Sequence, residues 1–384
     1  MKLELANRLG SVGEYYFSRK LAEVEELRKQ GRDIISLGVG SPDMPPAPEV
    51  IEALHQAAMN PGTHGYANYK GTPELLQAIA DWYARKYNVT LDHSTEVLTL
   101  YGSKEGLIFL CEAFINPGDK VLVPDPGYPA YPAAVRLAGG EPVSYLLTQQ
   151  NGWMPDFEAL GRSDMSGVKM MILNYPHMPT GTLPAAGTFE KFVDFARRHD
   201  ILLVHDNPYS FIRNEQPRSL LEVPGAKEVA VELNSLSKSH NMAGWRVGMM
   251  VGNPEILAGI MRYKSNLNNA MFIPTQHAAA VALGLPDQWY ETVNRTYRDR
   301  EGLAYRILDE LGCSYEPGQA GLFAWGRLPE GENDCYEFID KILYDKNIFI
   351  TPGAIFGQGG KRYIRVSLCA NEQTLYEALK RLKQ

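Results

Sequence analysis

The sequence predicts an α/β protein, with a large domain built on a mostly parallel sheet flanked by helices and a smaller α+β domain attached. Three observations lead there. Short apolar runs at residues 120–123, 170–173 and 201–204 are each bounded by Pro, Asp or Asn, the pattern of strands buried on both faces. Longer stretches of helical spacing lie between them. After about residue 285 the texture changes to a long charged stretch, WYETVNRTYRDREGLAYRILDEL, and then to short strand-like pieces, GLFAWGRL and RYIRVSL.

A chain of 384 residues is too long for one small core, so two unequal lobes are expected. Residues 46–284 would form the large domain and 285–384 the small one, with residues 1–45 packing against the latter. Hydrophobic residues at 45% and charged ones at 22% describe a folded chain rather than a disordered one. Against 38 Lys plus Arg stand 45 Asp plus Glu, a formal net charge of −7 with no long basic run, which argues against nucleic acid as a partner. Cys111, Cys313, Cys335 and Cys369 are scattered and form neither a CxxC pair nor a metal-ligand spacing, so no metal is expected and the thiols read as reduced packing residues. The start, MKLELANRLGSVGEYYF, carries charges where a signal peptide would be apolar, and no stretch reaches membrane-spanning length. A cytoplasmic location is expected.

Five segments carry candidate chemistry, taken in chain order. YGSKEGLIFL turns on a glycine into an apolar helix, placing the N–H groups near Ser103 and Lys104 at a helix N-terminus, where anions bind. The alternative is that Ser103 only caps that helix. DPGYPAY follows the strand-like KVLVP, so Tyr128 leaves a turn at a sheet edge, where its ring could stack on a flat cofactor or simply pack under a loop.

GTFEKFVDFARRHD places Phe189, Phe192, Val193 and Ala196 at helical spacing, and ILLVHD then reads as a strand that ends on Asp206. Ligands of open α/β sheets bind at that edge. A buried carboxylate there needs a cationic partner, such as a protonated pyridine nitrogen, and Tyr209 three residues on could donate to a phenolic oxygen on the same ring; the alternative is a capping aspartate with a packed tyrosine. NSLSKSHNMAGWRVG gathers Ser235, Ser237, Lys238 and Arg246 in a loop of small residues: hydroxyls and a guanidinium for phosphate oxygens, and an amine able to form an imine. Arg365 in RYIRVSL is expected on the face opposite Ile364 and Val366, where it would serve a substrate carboxylate or a structural ion pair.

Together these segments resemble the class I/II aminotransferases of fold type I, which depend on pyridoxal 5′-phosphate. The likeness runs in the family's order through ISLGVGSPD, GYANYKGTPELLQAIADWY, YGSKEGL, PDPGYPAY, ILNYPHMPTG, VHDNPYS, NSLSKSHNMAGWRVG, TPGAIFG and YIRVSL, nearly the whole chain. Texture is similar to the diaminopimelate and aspartate aminotransferases. The resemblance implies Lys238 as the lysine that carries the cofactor as a Schiff base, Asp206 at the pyridine nitrogen, Tyr209 at the phenolic oxygen and Tyr128 on the ring. It implies phosphate ligands from Ser103, Lys104, Ser235, Ser237 and Arg246, with Tyr66 reaching the phosphate of a neighbouring subunit, hence a homodimer. Arg365 would hold the substrate carboxylate, with Gly40 beside the substrate. The implied reaction moves an amino group from an L-amino acid to a 2-oxo acid, 2-oxoglutarate foremost. A carbon–sulfur lyase, a decarboxylase or a non-catalytic binding relative are the alternatives. One departure stands out: HMPTG has Met178 where the family usually has an asparagine that contacts both the cofactor and the substrate carboxylate, and a thioether cannot donate that hydrogen bond.

Overall fold

The computed structural model describes residues 3–14 and 16–384. Among the described residues thirteen strands run in chain order: β1 (Ile35–Ser36), β2 (Val97–Leu100), β3 (Lys120–Asp125), β4 (Glu141–Leu146), β5 (Val168–Leu173), β6 (Leu202–Asp206), β7 (Ala230–Ser235), β8 (Gly248–Gly252), β9 (Ser314–Tyr315), β10 (Phe323–Arg327), β11 (Ile348–Phe349), β12 (Thr351–Pro352) and β13 (Tyr363–Ser367). Seven of them make the main sheet in the order β2-β8-β7-β6-β5-β3-β4. Its strands are parallel except β8, which runs antiparallel to both β2 and β7.

Both faces of this sheet are covered, which explains why its strands read as unbroken apolar runs. Successive residues alternate between two hydrophobic cores: Val121, Val123, Met170, Ile172 and Val204 enter one, and Leu122, Met171, Leu173 and Leu203 the other. The amphipathic helix Thr188–His199 buries Phe189, Phe192, Val193, Phe195 and Ala196, and hands the chain to β6. Because β3, β5, β6 and β7 are parallel, their C-terminal ends share one edge. Asp125, Leu173, Asp206 and Ser235 close those strands, and the loops that follow bring in the candidate residues.

The first four α-helices in chain order are α1 (Tyr16–Lys29), α2 (Pro48–Met59), α3 (Pro73–Tyr87) and α4 (Ser103–Phe114). Gly102 precedes α4 with φ +84, a backbone setting that suits glycine. The charged stretch forms the 24-residue helix Asp287–Glu310. Beyond it lies a four-stranded antiparallel sheet, β12-β13-β10-β9, in which Arg365 pairs across to Trp325 and to Thr351. The sequence placed Arg365 opposite Ile364 and Val366; all three are buried, because this sheet too is packed on both sides. β1 adds a parallel pair with β11. None of the described helices is long and apolar enough to cross a membrane. The four cysteines are free and buried.

Candidate active site

A cavity of about 330 Å³ opens at the C-terminal edge of the main sheet, and all but one of the residues singled out from sequence line it. The exception is Tyr66, which is 92% exposed and outside the chain's own cavity.

One end is built for an anion. The N-terminus of α4 points its first N–H groups there. Arg246, in a left-handed conformation with φ +60, donates to the carbonyls of Ala243 at 2.9 Å and Tyr101 at 3.2 Å. Its approach depends on glycine: a Cβ on Gly102 would lie 2.3 Å from Nη2, and one on Gly248 would lie 2.6 Å from the Ser103 nitrogen. The Ser235 hydroxyl donates to Ser237 Oγ at 2.8 Å, so both hydroxyls converge on this end. Burial, reinforced by the charge of Arg246, holds the Lys104 amine below the usual lysine range. A cluster of cations and N–H donors is stabilised by a bound phosphate.

Asp206 is buried beside this cradle. Its Oδ2 accepts from the Tyr131 hydroxyl at 2.8 Å, and its backbone carbonyl accepts from Asn174 Nδ2 at 2.6 Å. Oδ1 has no hydrogen-bond partner among the described residues. An orphaned carboxylate oxygen facing a cavity is what a cationic ring N–H would satisfy. Burial raises the Asp206 carboxyl from 3.8 to about 6, against the pull of the Tyr131 hydrogen bond.

The sign of that displacement gives a test. With its folded pKa above its unfolded one, the Asp206 carboxyl makes its full contribution to the stability of cofactor-free protein below about pH 4, and that contribution is lost as pH rises through about 6. The loss amounts to roughly 3 kcal/mol. Asp206→Asn lacks this titration, so urea midpoints of variant and wild type should diverge in the variant's favour between pH 4 and 7; a constant difference would refute the buried, unpaired carboxylate. Tyr131→Phe removes the hydroxyl donor to Oδ2 and should move the same transition up by about one to two pH units.

Tyr131 and Asn174 were not picked from the sequence. Tyr131 lies three residues after Tyr128, and the two rings meet edge to face with centroids 5.6 Å apart. That spacing within PGYPAY was the available signal. Asn174 follows the end of β5, and its Oδ1 accepts the Met178 N–H at 2.7 Å, bracing the turn that carries Met178.

The Lys238 amine donates to the Gly40 carbonyl at 2.5 Å. Burial holds it below the ordinary lysine range, and the charges of Arg365 and Arg246 push the same way, which favours the neutral, nucleophilic form. Arg365 reaches the cavity from β13. Its Nη2 donates to the Gly38 carbonyl at 2.9 Å, and Nη1 lies 3.2 Å from Met178 Sδ. Aromatic rings surround the guanidinium: Cζ is 3.7 Å from the Phe323 centroid, 4.6 Å from Phe356 and 5.7 Å from Phe17. Met178 therefore faces the cavity, and its sulfur, not an amide, meets the arginine.

An orphaned carboxylate oxygen, an anion cradle, three tyrosines and a depressed lysine in one cavity fit pyridoxal 5′-phosphate. The family model for aminotransferase class I and II matches residues 32–382. The LL-diaminopimelate aminotransferase of Aquifex aeolicus is 40% identical over 382 residues, covering 99% of this chain and 98% of that protein. Substrate-bound BacF from Bacillus subtilis superposes with a TM-score of 0.94 at 36% identity, over 100% of this chain and 98% of its own. A probable N-succinyldiaminopimelate aminotransferase from Thermus thermophilus gives a TM-score of 0.88 at 35% identity, over 95% and 99% of the two chains. Full-length similarity and the chemistry of the cavity agree: the chain belongs to the class I and II aminotransferases, enzymes of fold type I that use pyridoxal 5′-phosphate to move amino groups from amino acids to 2-oxo acids.

Proposed function

We propose that amino transfer runs in this cavity with Lys238 as the catalytic lysine, and that the protein acts as a cytoplasmic homodimer with 2-oxoglutarate as an amino acceptor. One observation carries the reading: the Lys238 amine, the orphaned Asp206 oxygen and the Arg365 guanidinium line the same cavity. When bound, pyridoxal phosphate supplies a protonated ring that draws the electron pair away from the substrate Cα. Asp206 holds the ring-nitrogen proton in place. Tyr209 would donate to the phenolic oxygen, and Tyr128 would lie beside the ring; both line the cavity. Ser103, Lys104, Ser235, Ser237 and Arg246 hold the phosphate. Arg365 binds the substrate α-carboxylate by a bidentate pair, with Gly40 beside the amine.

Lys238 then carries a proton from Cα, which requires the neutral amine that burial favours. Tyr66, exposed on its own chain, is suited to reach a partner's phosphate, the basis for proposing the dimer. Free cysteines suit a reducing compartment. Domain limits of 1–45, 46–284 and 285–384 are proposed with this reading, and the pairing of β1 with β11 supports assigning the N-terminal segment to the small lobe. The test is a panel of L-amino acids, with and without 2-oxoglutarate, followed by cofactor absorbance. Amino transfer requires the acceptor for repeated turnover. Steady release of ammonia or thiol without an acceptor would point to lyase chemistry and overturn the proposal.

A further inference from the structure

The apolar part of the cavity lining includes Phe17, Leu21, Val39, Met178, Phe323 and Phe356, of which Phe17, Met178, Phe323 and Phe356 lie against Arg365. Phe17 and Leu21 stand four residues apart on α1, so one helical face presents both. Met178 adds a thioether where an amide would have been polar. The charged lining is one-sided: Lys104, Lys238, Arg246 and Arg365 face a single carboxylate, Asp206, which is bound to Tyr131 and assigned above to the ring nitrogen.

A substrate whose α-carboxylate lies on Arg365 and whose amine lies at Lys238 has only its side chain left to meet the apolar wall. An apolar side chain gains from burial there. A second ammonium would lose water, and no carboxylate among the described lining residues remains to receive it. We propose that the amino donor of this enzyme carries a neutral apolar side chain, aliphatic, thioether or aromatic, and that diamino acids are disfavoured. This inference rests on the reading of Lys238 and Arg365 given above. It separates the chain from what the name of its Aquifex aeolicus relative describes, despite 40% identity. Burying a side chain the size of leucine or phenylalanine is worth about 10- to 150-fold in relative specificity.

The experiment is the first half-reaction of the holoenzyme, followed by cofactor absorbance, with one donor at a time and no acceptor. L-leucine, L-methionine and L-phenylalanine should exceed L-lysine and LL-diaminopimelate by about 10- to 150-fold in the second-order rate constant. Equal or faster reaction with either diamino acid would overturn the inference and leave the proposed function standing. No reaction with any donor would overturn both. Leu21→Glu sets a carboxylate into the wall and should shift the lysine-to-leucine ratio several-fold towards lysine. An unmoved ratio would mean that the side chain does not lie against α1, which also overturns the inference.

Discussion

Lys238→Ala should abolish turnover. Two contributions vanish together, the covalent attachment of the cofactor and the movement of the Cα proton. Positioned proton transfer alone is worth about 10²- to 10⁴-fold, so residual activity should lie below one part in a hundred even when the cofactor still binds through its phosphate and ring contacts. The fold should survive. The amine contributes a hydrogen bond to the Gly40 carbonyl, and removing a donor that burial already discourages from charging costs the cavity little. Circular dichroism therefore serves as the control, and borohydride reduction followed by peptide mapping locates the attachment. A label on another lysine, or activity within tenfold of wild type, would defeat the assignment.

The second large effect is expected from Arg365→Ala. Its guanidinium is buried and held by the Gly38 carbonyl and by the rings of Phe323, Phe356 and Phe17. Removing one partner of a buried, hydrogen-bonded charge pair costs about 2–5 kcal/mol, or roughly 30- to 5,000-fold in kcat/KM. Every amino acid and 2-oxo acid should suffer alike, because the α-carboxylate is common to all of them. Arg365→Lys should recover only part of the loss, since a point charge cannot make the paired, planar contact. Steady-state kinetics across several substrate pairs checks this. Loss confined to one substrate would mean that Arg365 reads a side chain instead.

Local pattern carried most of the site. Asp206 was legible because it closely follows a run of four apolar residues, Ile201 to Val204, after an amphipathic helix, and Lys238 because its hydroxyl and arginine neighbours lie within nine residues. The antiparallel direction of β8 was not legible: a strand buried on both faces has the same apolar run whichever way it points. Nor was the aromatic surround of Arg365, which draws Phe17, Phe323 and Phe356 from three separated segments. Tyr131 was hidden for a different reason. A tyrosine that donates to a buried carboxylate and one that merely packs leave the same letter in the sequence, and only the 2.8 Å contact with Asp206 tells them apart. Met178 was visible as a departure, but the arginine its sulfur would meet lies 187 residues away in the chain.

The segment that follows β1 offers successive carbonyls to four side chains. Gly38 receives Arg365 and Thr351, Val39 receives Ser367, and Gly40 receives Lys238. The atoms that grip Arg365 and Lys238 thus sit two residues apart on one strip of backbone, a reach of at most about 7 Å set by covalent geometry. This strip acts as a gauge. Heating or a distant core substitution can loosen packing elsewhere, yet the distance between the two grips stays within what the peptide units allow. Breathing motions should therefore change how often substrate is captured more than which atoms of it are aligned.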